Sequence, residues 1–377
     1  MSKTLQDYAT LINDTIQSNE INHYITTANM CQNLGGIDTF KNINIPQGKV
    51  RSFQKDDILL SNIRLYFRKV YRAKQKGGCS SDVLVFRAKH IDSATLFAIL
   101  SSQIFTDYAC SGSQGSKMPR GNKTHMMDFK IPTINFTIAK IFNSIQNKIE
   151  NNHKINELLH KILELLYEQY FVRFDFLDEN NKPYQTSGGK MKFSKELNRL
   201  IPSGWSVRFL NHKIVSTYQP KTISKTLLND SYSYSVYGGG GIMGRFTEYN
   251  HEQSEFIISC RGQCGISYLT LPKSWITGNA MVIRPTKSYT SKTYLYHTIK
   301  KYKLANYITG SVQPQITRQN LSTMPILIPK RKTLNKWNNI SSLLWNLIHN
   351  NMQSTQTLTA LRDFLLPLLL KQQVKPQ

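Results

Sequence analysis

A long-period internal repeat constrains this chain more than any other feature of its 377 residues. The stretch at 145–171 aligns with the one at 344–370 at an offset of 199 (344 minus 145). Upstream, Arg64 aligns with Arg261 and Arg87 with Arg284, both at an offset of 197 (261 minus 64). Matches that keep one order along the chain indicate two copies of a single structural unit.

The repeat divides the chain into two domains, each followed by a long helix, with a polar connector between the halves. The expected segments are a first domain at 1–135, a central helix at 136–176, a connector at 177–196, a second domain at 197–332 and a C-terminal helix at 333–377.

Short apolar runs such as DILLSNI and EFIISC predict strands, and the stretches at 94–109 and 292–308 predict amphipathic helices. The glycine-rich YGGGGIMGR at 237–245 is interpreted as a turn. Each domain is therefore expected to be of mixed α/β (α+β) class.

The two long helices carry apolar residues at spacings of three and four, which places them on one face. We expect the helices to bury these faces against each other as an antiparallel coiled coil, although each could instead fold back onto its own domain. The residues expected at the helix or partner interface are Ile149, Leu159, Ile162, Leu166, Ile348, Leu358, Leu361 and Leu365.

The charge is strongly positive, with 48 Lys and Arg against 23 Asp and Glu, for a net charge of +25. Such an excess predicts an anionic partner, either nucleic acid or an acidic membrane. No run approaches the ~20 apolar residues of a membrane span, and the N-terminus does not resemble a secretion signal, so we expect a cytoplasmic protein. Cys260 and Cys264 lack a second ligand pair nearby, which disfavours zinc.

Several segments together resemble the specificity (S) subunit of type I restriction-modification systems. They include LLYEQYFVRFDF at 165–176, LRDFLLPLLL at 361–370, GSKMPRGNKTHMMDFKIP at 115–132 and CGISYLTLPKSWITGNAMVI at 264–283. One departure is the domain entry, because the PSGW at 202–205 has no counterpart at the start of the first half.

The resemblance implies a non-catalytic subunit with two target-recognition domains, each reading one half of a split, asymmetric site in double-stranded DNA. The long helices would set the spacing of the half-sites and bind two methyltransferase (M) subunits, which bring S-adenosylmethionine and methylate adenine. Restriction (R) subunits would complete an ATP-dependent endonuclease, so that ATP and Mg also belong to the partners.

The chain itself shows no catalytic signature. It has no Pro-Pro of an adenine methyltransferase motif, no phosphate-binding G-x-x-x-x-G-K-[ST] and no H-E-x-x-H metal motif. We therefore predict no catalytic residue, no metal site and no cofactor in this chain. The alternatives are a general nucleic-acid-binding protein without sequence preference and a stand-alone enzyme acting on nucleic acid.

Side chains that can reach base edges lie in matching places of the two halves. Arg suits guanine, Asn or Gln suits adenine, and Lys suits phosphate, although any single Arg could be a solvated surface charge. The candidates in the first half are Arg64, Tyr66, Arg68, Lys69, Lys117 and Arg120. Those in the second half are Tyr237, Arg245, Arg261, Gln263, Gln313, Gln315 and Arg318.

Overall fold

A computed structural model describes residues 3–38, 43–131, 134–229, 232–262, 264–311 and 313–369. The chain divides into two compact units, one comprising Met1–Ile155 with Asn351–Gln377 and the other Asn156–Asn350. The boundary between the two units therefore lies within both long helices. The sequence-based segments instead treated each long helix as separate from the domains.

Unit 1 contains eight strands and four short helices among its described residues, followed by the beginning of the central helix. The strands are β1 (Ala9–Ile12), β2 (Thr15–Gln17), β3 (Tyr24–Ile25), β4 (Lys49–Phe53), β5 (Ile58–Ser61), β6 (Val70–Arg72), β7 (Gly77–Cys79) and β8 (Val83–Ala88). The helices are α1 (Leu5–Tyr8), α2 (Ser93–Ser101), α3 (Gln103–Ser111), α4 (Lys123–Met127) and α5 (Phe136–Tyr167).

Two four-stranded sheets form the framework of unit 1, in the orders β1-β8-β5-β6 and β2-β4-β7-β3. The first sheet is antiparallel and packs against α2, in which seven of nine residues are buried. The core continues into α5, where the ring of Phe142 lies 5.5 Å from that of Phe97.

Unit 2 contains thirteen strands and two short helices among its described residues. The strands are β9 (Met191–Ser194), β10 (Arg199–Pro202), β11 (Ser206–Phe209), β12 (Val215–Tyr218), β13 (Tyr234–Gly238), β14 (Gly241–Phe246), β15 (Phe256–Ser259), β16 (Ser267–Leu269), β17 (Trp275–Ile276), β18 (Ala280–Pro285), β19 (Ile308–Thr309), β20 (Gln315–Ile316) and β21 (Pro325–Ile328). The helices are α6 (Lys292–Lys300), α7 (Arg318–Ser322) and the long α8 (Arg331–Leu369), which ends in unit 1.

The duplication appears directly in the strand order, because the sheet β12-β18-β15-β16 repeats the order β1-β8-β5-β6. The two aligned arginines also occupy the same place in each unit. Arg87 donates to Asp57 at 2.8 Å, and Arg284 donates to Glu255 at 2.7 Å. Asp57 directly precedes β5, and Glu255 directly precedes β15. Both carboxylates are buried.

The long helices pair in an antiparallel sense within each unit. In unit 1, Asn152 Nδ2 donates to Thr355 Oγ1 at 3.2 Å, and Arg362 contacts Gln146. In unit 2, the ring of Tyr167 lies 5.8 Å from that of Trp337. The predicted fold class, mixed α/β units joined by two paired antiparallel helices, is confirmed.

Two of the predicted shorter helices differ from the sequence-based boundaries. The stretch at 94–109 forms two helices, because Ser102 leaves helical geometry and its Oγ accepts the N–H of Phe105 as the cap of α3. The stretch at 292–308 ends as an α-helix at Lys300 and resumes as a 3-10 turn over Leu304–Tyr307. Within the described ranges, no helix has the length and apolarity needed to cross a membrane.

Candidate DNA interface

Two loops of unit 1 that were singled out by sequence lie side by side. The first follows β5 and carries Arg64, and the second, between α3 and α4, carries Lys117 and Arg120. The backbone N–H of Arg64 donates to Pro119 O at 2.9 Å, and its guanidinium reaches Lys117 O at 3.4 Å. The fold therefore places Arg64, whose side chain is half-buried, next to the 117–120 segment.

Tyr66 stands at the outer end of the first loop, on a single 3-10 turn over Leu65–Phe67. Arg64 and Arg68, which flank the turn, both adopt left-handed backbone conformations with φ of 49° and 48°. The resulting reversal leaves the Tyr66 side chain exposed, while Leu65 next to it enters the core. Arg120 is also exposed, and it forms an ion pair with Asp82 at 2.9 Å.

Two candidates of the first loop are engaged inside the protein instead. Arg68 Nη2 donates to Ser101 O at 2.9 Å, and burial lowers the pKa of Arg68. Lys69 Nζ donates to Thr27 O at 2.6 Å. Both groups anchor the loop to neighbouring segments, so the expectation that they contact an external partner conflicts with their place in the structure.

In unit 2 the corresponding loops are also joined. Arg261 follows β15 and forms a backbone bridge with Gln315, and the N–H of Ile316 donates to Cys260 O at 3.1 Å. The side chains of Arg261, Gln313, Gln315 and Arg318 are exposed. This arrangement matches unit 1, where Ile63 forms the equivalent bridge with Arg120.

Two candidates of the second half do not join this surface. The prediction for Tyr237 is wrong, because its side chain is 3% exposed and its hydroxyl accepts the N–H of Leu271 at 3.1 Å. Burial raises the pKa of Tyr237 to about 12. Arg245 is half-buried and its guanidinium donates to Ser233 O. Gln263 lies outside the described residues.

An exposed apolar residue between β13 and the end of β14 was missed by sequence reasoning. Ile242 is 51% exposed and lies in the YGGGGIMGR stretch, which forms the turn and second strand of the β13–β14 hairpin. A large aliphatic residue directly after four glycines could have indicated an exposed apolar side chain, but the stretch was interpreted only as a turn.

The helix residues expected at an interface fall into three groups. Ile149 and Ile348 are buried, while Leu159, Leu166, Leu358 and Leu365 are half-buried. Ile162 and Leu361, which are repeat equivalents at an offset of 199, are 44% and 45% exposed. They therefore belong to an outer face of the helices rather than to the seam between them.

Further exposed apolar side chains accompany Ile162 and Leu361, and together they form what we call the helix stripe. In unit 2 the stripe consists of Leu158, Ile162, Leu165, Ile340, Leu343 and Leu347. In unit 1 it consists of Ile141, Leu361 and Phe364. Three of these positions recur at the repeat offset of 199, namely 141 with 340, 162 with 361 and 165 with 364.

The described residues contain no group of three or more His, Cys, Asp or Glu side chains that could hold a metal ion. Cys260 and Cys264 serve local contacts, since Cys260 Sγ accepts from Gln219 Nε2 at 2.9 Å and Cys264 Sγ donates to Pro314 O at 3.1 Å. Burial raises the pKa of both thiols.

Comparison with known proteins agrees with this geometry. Residues 202–361 match the family described as type I restriction modification DNA specificity domain. The type I restriction enzyme MjaIX specificity subunit of Methanocaldococcus jannaschii is 21% identical over 312 residues, covering 73% of this chain and 67% of that protein. The crystal structure of the type I restriction-modification S subunit from M. genitalium superposes with a TM-score of 0.63 at 14% identity, covering 99% of this chain and 96% of that one.

The duplicated fold and these matches indicate a protein of the DNA-specificity class. The second half of the chain matches a type I restriction modification DNA specificity domain, and over most of its length the chain is similar to a specificity subunit of such a system.

Proposed function

We propose that each unit reads one half of a bipartite, asymmetric site in double-stranded DNA through its pair of joined loops. The observation that carries the proposal is the repeated placement of planar donors. Arg64 lies beside the 117–120 loop in unit 1, and Arg261 lies beside Gln315 in unit 2. Arginine and glutamine can each make two hydrogen bonds to a purine edge in the major groove.

The charge around the second loop pair supports binding to the DNA backbone. Residues 181–330 carry 20 Lys and Arg against 5 Asp and Glu, a local excess of 15. Phosphate contacts of this kind supply affinity and position the protein, whereas base contacts supply the sequence preference. Because the paired loops differ between units, the two half-sites should differ as well.

We further propose that the helix stripe docks two methyltransferase subunits, one in each unit. Three stripe positions recur at the repeat offset, so one partner surface could use the same contacts twice. Those subunits would bring S-adenosylmethionine and methylate adenine, and restriction subunits would add ATP- and Mg-dependent cleavage. We expect the assembly in the cytoplasm, where a bacterial or archaeal chromosome lies.

The decisive experiment is methylome sequencing of cells with and without this gene. A bipartite adenine-methylated motif that disappears with the gene is the expected result. Its absence, with the methyltransferase partner expressed, would refute the proposal. Competition with random-sequence DNA by the purified complex then tests the general-binding alternative, in which random DNA competes as well as the motif.

A further inference from the structure

The β13–β14 hairpin is an addition to unit 2 that the repeat does not require. In unit 2, β13 pairs in parallel with β17 and carries β14 on its other side. In the described part of unit 1, β3 pairs in parallel with β7 but forms the edge of its sheet. In unit 2, β14 is therefore an additional edge strand that has no counterpart next to β3 in the described part of unit 1.

The tip of this hairpin lies against the loop that carries Arg261. A Cβ added at Gly239 would lie 2.7 Å from Arg261 O, a separation that only glycine permits. Gly241 has a φ of +104°, which also favours glycine. The glycine run thus serves to bring the hairpin backbone close to Arg261, beyond making a simple turn.

The residue after the tip is exposed. Ile242 pairs with Tyr237 across the hairpin, yet Ile242 is 51% exposed while Tyr237 is 3% exposed. Tyr237 packs with Ile257, Ile276 and Val282, which anchors the first strand of the hairpin in the core. Ile242 is not part of that core cluster, and about half of its surface is accessible to a partner.

The surroundings favour nucleic acid as that partner. Lys225 and Arg261 are exposed on segments beside the hairpin, and Lys225 lines a hollow with Leu228, Met243 and Gly244. The major groove admits a two-stranded β-ribbon, and the apolar group that it displays is the C5-methyl of thymine. Ile242, three residues after the glycine that approaches the Arg261 loop, is an exposed apolar side chain available for that contact.

We propose that the β13–β14 hairpin enters the major groove of the half-site read by unit 2 and that Ile242 packs on a thymine methyl group. Ile242 is then a specificity residue, and the half-site contains an A·T pair next to the pair read by Arg261. The inference rests on the proposed function, because it assumes that unit 2 reads a half-site.

The test removes the methyl group from the DNA and the side chain from the protein in a double-mutant design. Every thymine of the methylome-derived motif is replaced in turn by deoxyuridine, and the affinity of the S–M complex is measured with wild-type and Ile242→Ala protein. The affinity of the wild-type complex should fall about fourfold when deoxyuridine replaces thymine at one position of the unit 2 half-site, as expected for the loss of one buried methyl group. Ile242→Ala should bind the thymine and deoxyuridine forms equally at that position.

Matched controls separate this inference from the function on which it rests. Ile104→Ala, an exposed aliphatic change on α3 of unit 1, should leave the deoxyuridine sensitivity unchanged. Arg261→Ala identifies which half-site belongs to unit 2. If the motif is bound and Arg261→Ala weakens one half-site, but no deoxyuridine effect depends on Ile242, the hairpin proposal is overturned while the function stands. Loss of M-subunit docking in Ile242→Ala would also overturn it, in favour of a protein contact.

Discussion

At the scale of single residues, the direction of a side chain decides its role more than its identity does. Arg64 and Arg68 lie four residues apart in one loop and share a left-handed backbone. Arg64 nevertheless lies beside the second loop, whereas Arg68 binds Ser101 O in the interior. Sequence alignment predicted Arg64 and Arg261 as equivalents, but it could not separate them from Arg68, because the fold of the loop determines which segment each guanidinium contacts.

This placement leads to a prediction for the two aligned arginines. Arg64→Ala should reduce discrimination at one half-site only and Arg261→Ala at the other, each by about 1–3 kcal/mol, the range for a bidentate arginine–guanine contact. Binding to motif variants with single base-pair changes in each half measures the effect. Arg208→Ala, an exposed arginine on β11, serves as the control. Equal losses at both half-sites for either variant would contradict the assignment.

At the scale of elements, the long helices carry two different surfaces. Apolar spacing predicted that they pair, and it identified Ile149 and Ile348 in the buried seam. It also assigned Ile162 and Leu361 to the same face, although they lie outside that seam. When a helix has apolar residues on more than one side, their spacing alone does not tell which of them lie in the seam and which lie on the outer face.

The outer face provides the second prediction. Leu165 and Phe364 are repeat equivalents and are 56% and 68% exposed, so replacing either by Glu should leave the fold intact. Each change should weaken one docking surface, and the complex should then hold one methyltransferase subunit instead of two. Native mass spectrometry reads this stoichiometry directly. The exposed Gln353→Glu is the control, and two bound subunits in both stripe variants would count against the docking role.

A buried polar layer in unit 1 supplies the third prediction. Arg362 is 1% exposed and contacts Gln146 Oε1 at 3.2 Å, while Gln146 Nε2 donates to Leu34 O at 2.7 Å. At the repeat-equivalent positions of unit 2, the residues are the buried Leu163 and Trp345. Such a layer favours one register of the helix pair, because a shifted register separates the buried Arg362 from Gln146 and leaves it only Asp363 of its own helix.

Gln146→Leu should therefore cost about 1–3 kcal/mol, because Arg362 loses its interhelical partner while it keeps its ion pair with Asp363, and Arg362→Leu should cost a similar amount. The double variant should cost less than the sum of the two single losses. Urea unfolding followed by helical circular dichroism measures these differences, with the exposed Gln353→Leu as the control. Additive losses in the double variant would show that the two side chains do not act as a pair.

At the scale of the whole molecule, duplication explains most of what could be foreseen. The offsets predicted two similar units, and the matching strand orders and the Asp57–Arg87 and Glu255–Arg284 pairs agree with that prediction. What duplication cannot predict is where the copies diverge. Among the described residues, the β13–β14 hairpin, the Gln146–Arg362 layer and an aromatic cluster around His297 each occur in one copy, and each depends on contacts between residues far apart in the sequence.

That cluster gives unit 2 a specific response to acid. His297 is 3% exposed and lies between the rings of Tyr167 and Trp337, and His349 packs against Trp345. Burial, reinforced by Lys300, His160 and Lys301, lowers the pKa of His297 to about 3. Burial, reinforced by Lys292 and His160, lowers the pKa of His349 to about 4.

Both histidines are neutral in the folded chain at pH values where the unfolded chain binds protons. Above pH 6.5 neither state is protonated, and the histidines do not affect the pH dependence of stability. As the pH falls below 6.5 the unfolded state gains protons first, so stability falls. At pH 5 the loss should be about 2 kcal/mol for each histidine. Thermal melts between pH 7 and pH 5, above the range in which most carboxylates titrate, should therefore show a decreasing melting temperature.

Replacing His297 or His349 by Phe should flatten this dependence, because an aromatic ring is kept in the cluster while the titrating group is removed. The same replacement at the exposed His212 should leave the slope unchanged. If the melting temperature of the wild type is constant from pH 7 to pH 5, or if the slope persists in both variants, His297 and His349 are not the main acid-sensitive groups of unit 2.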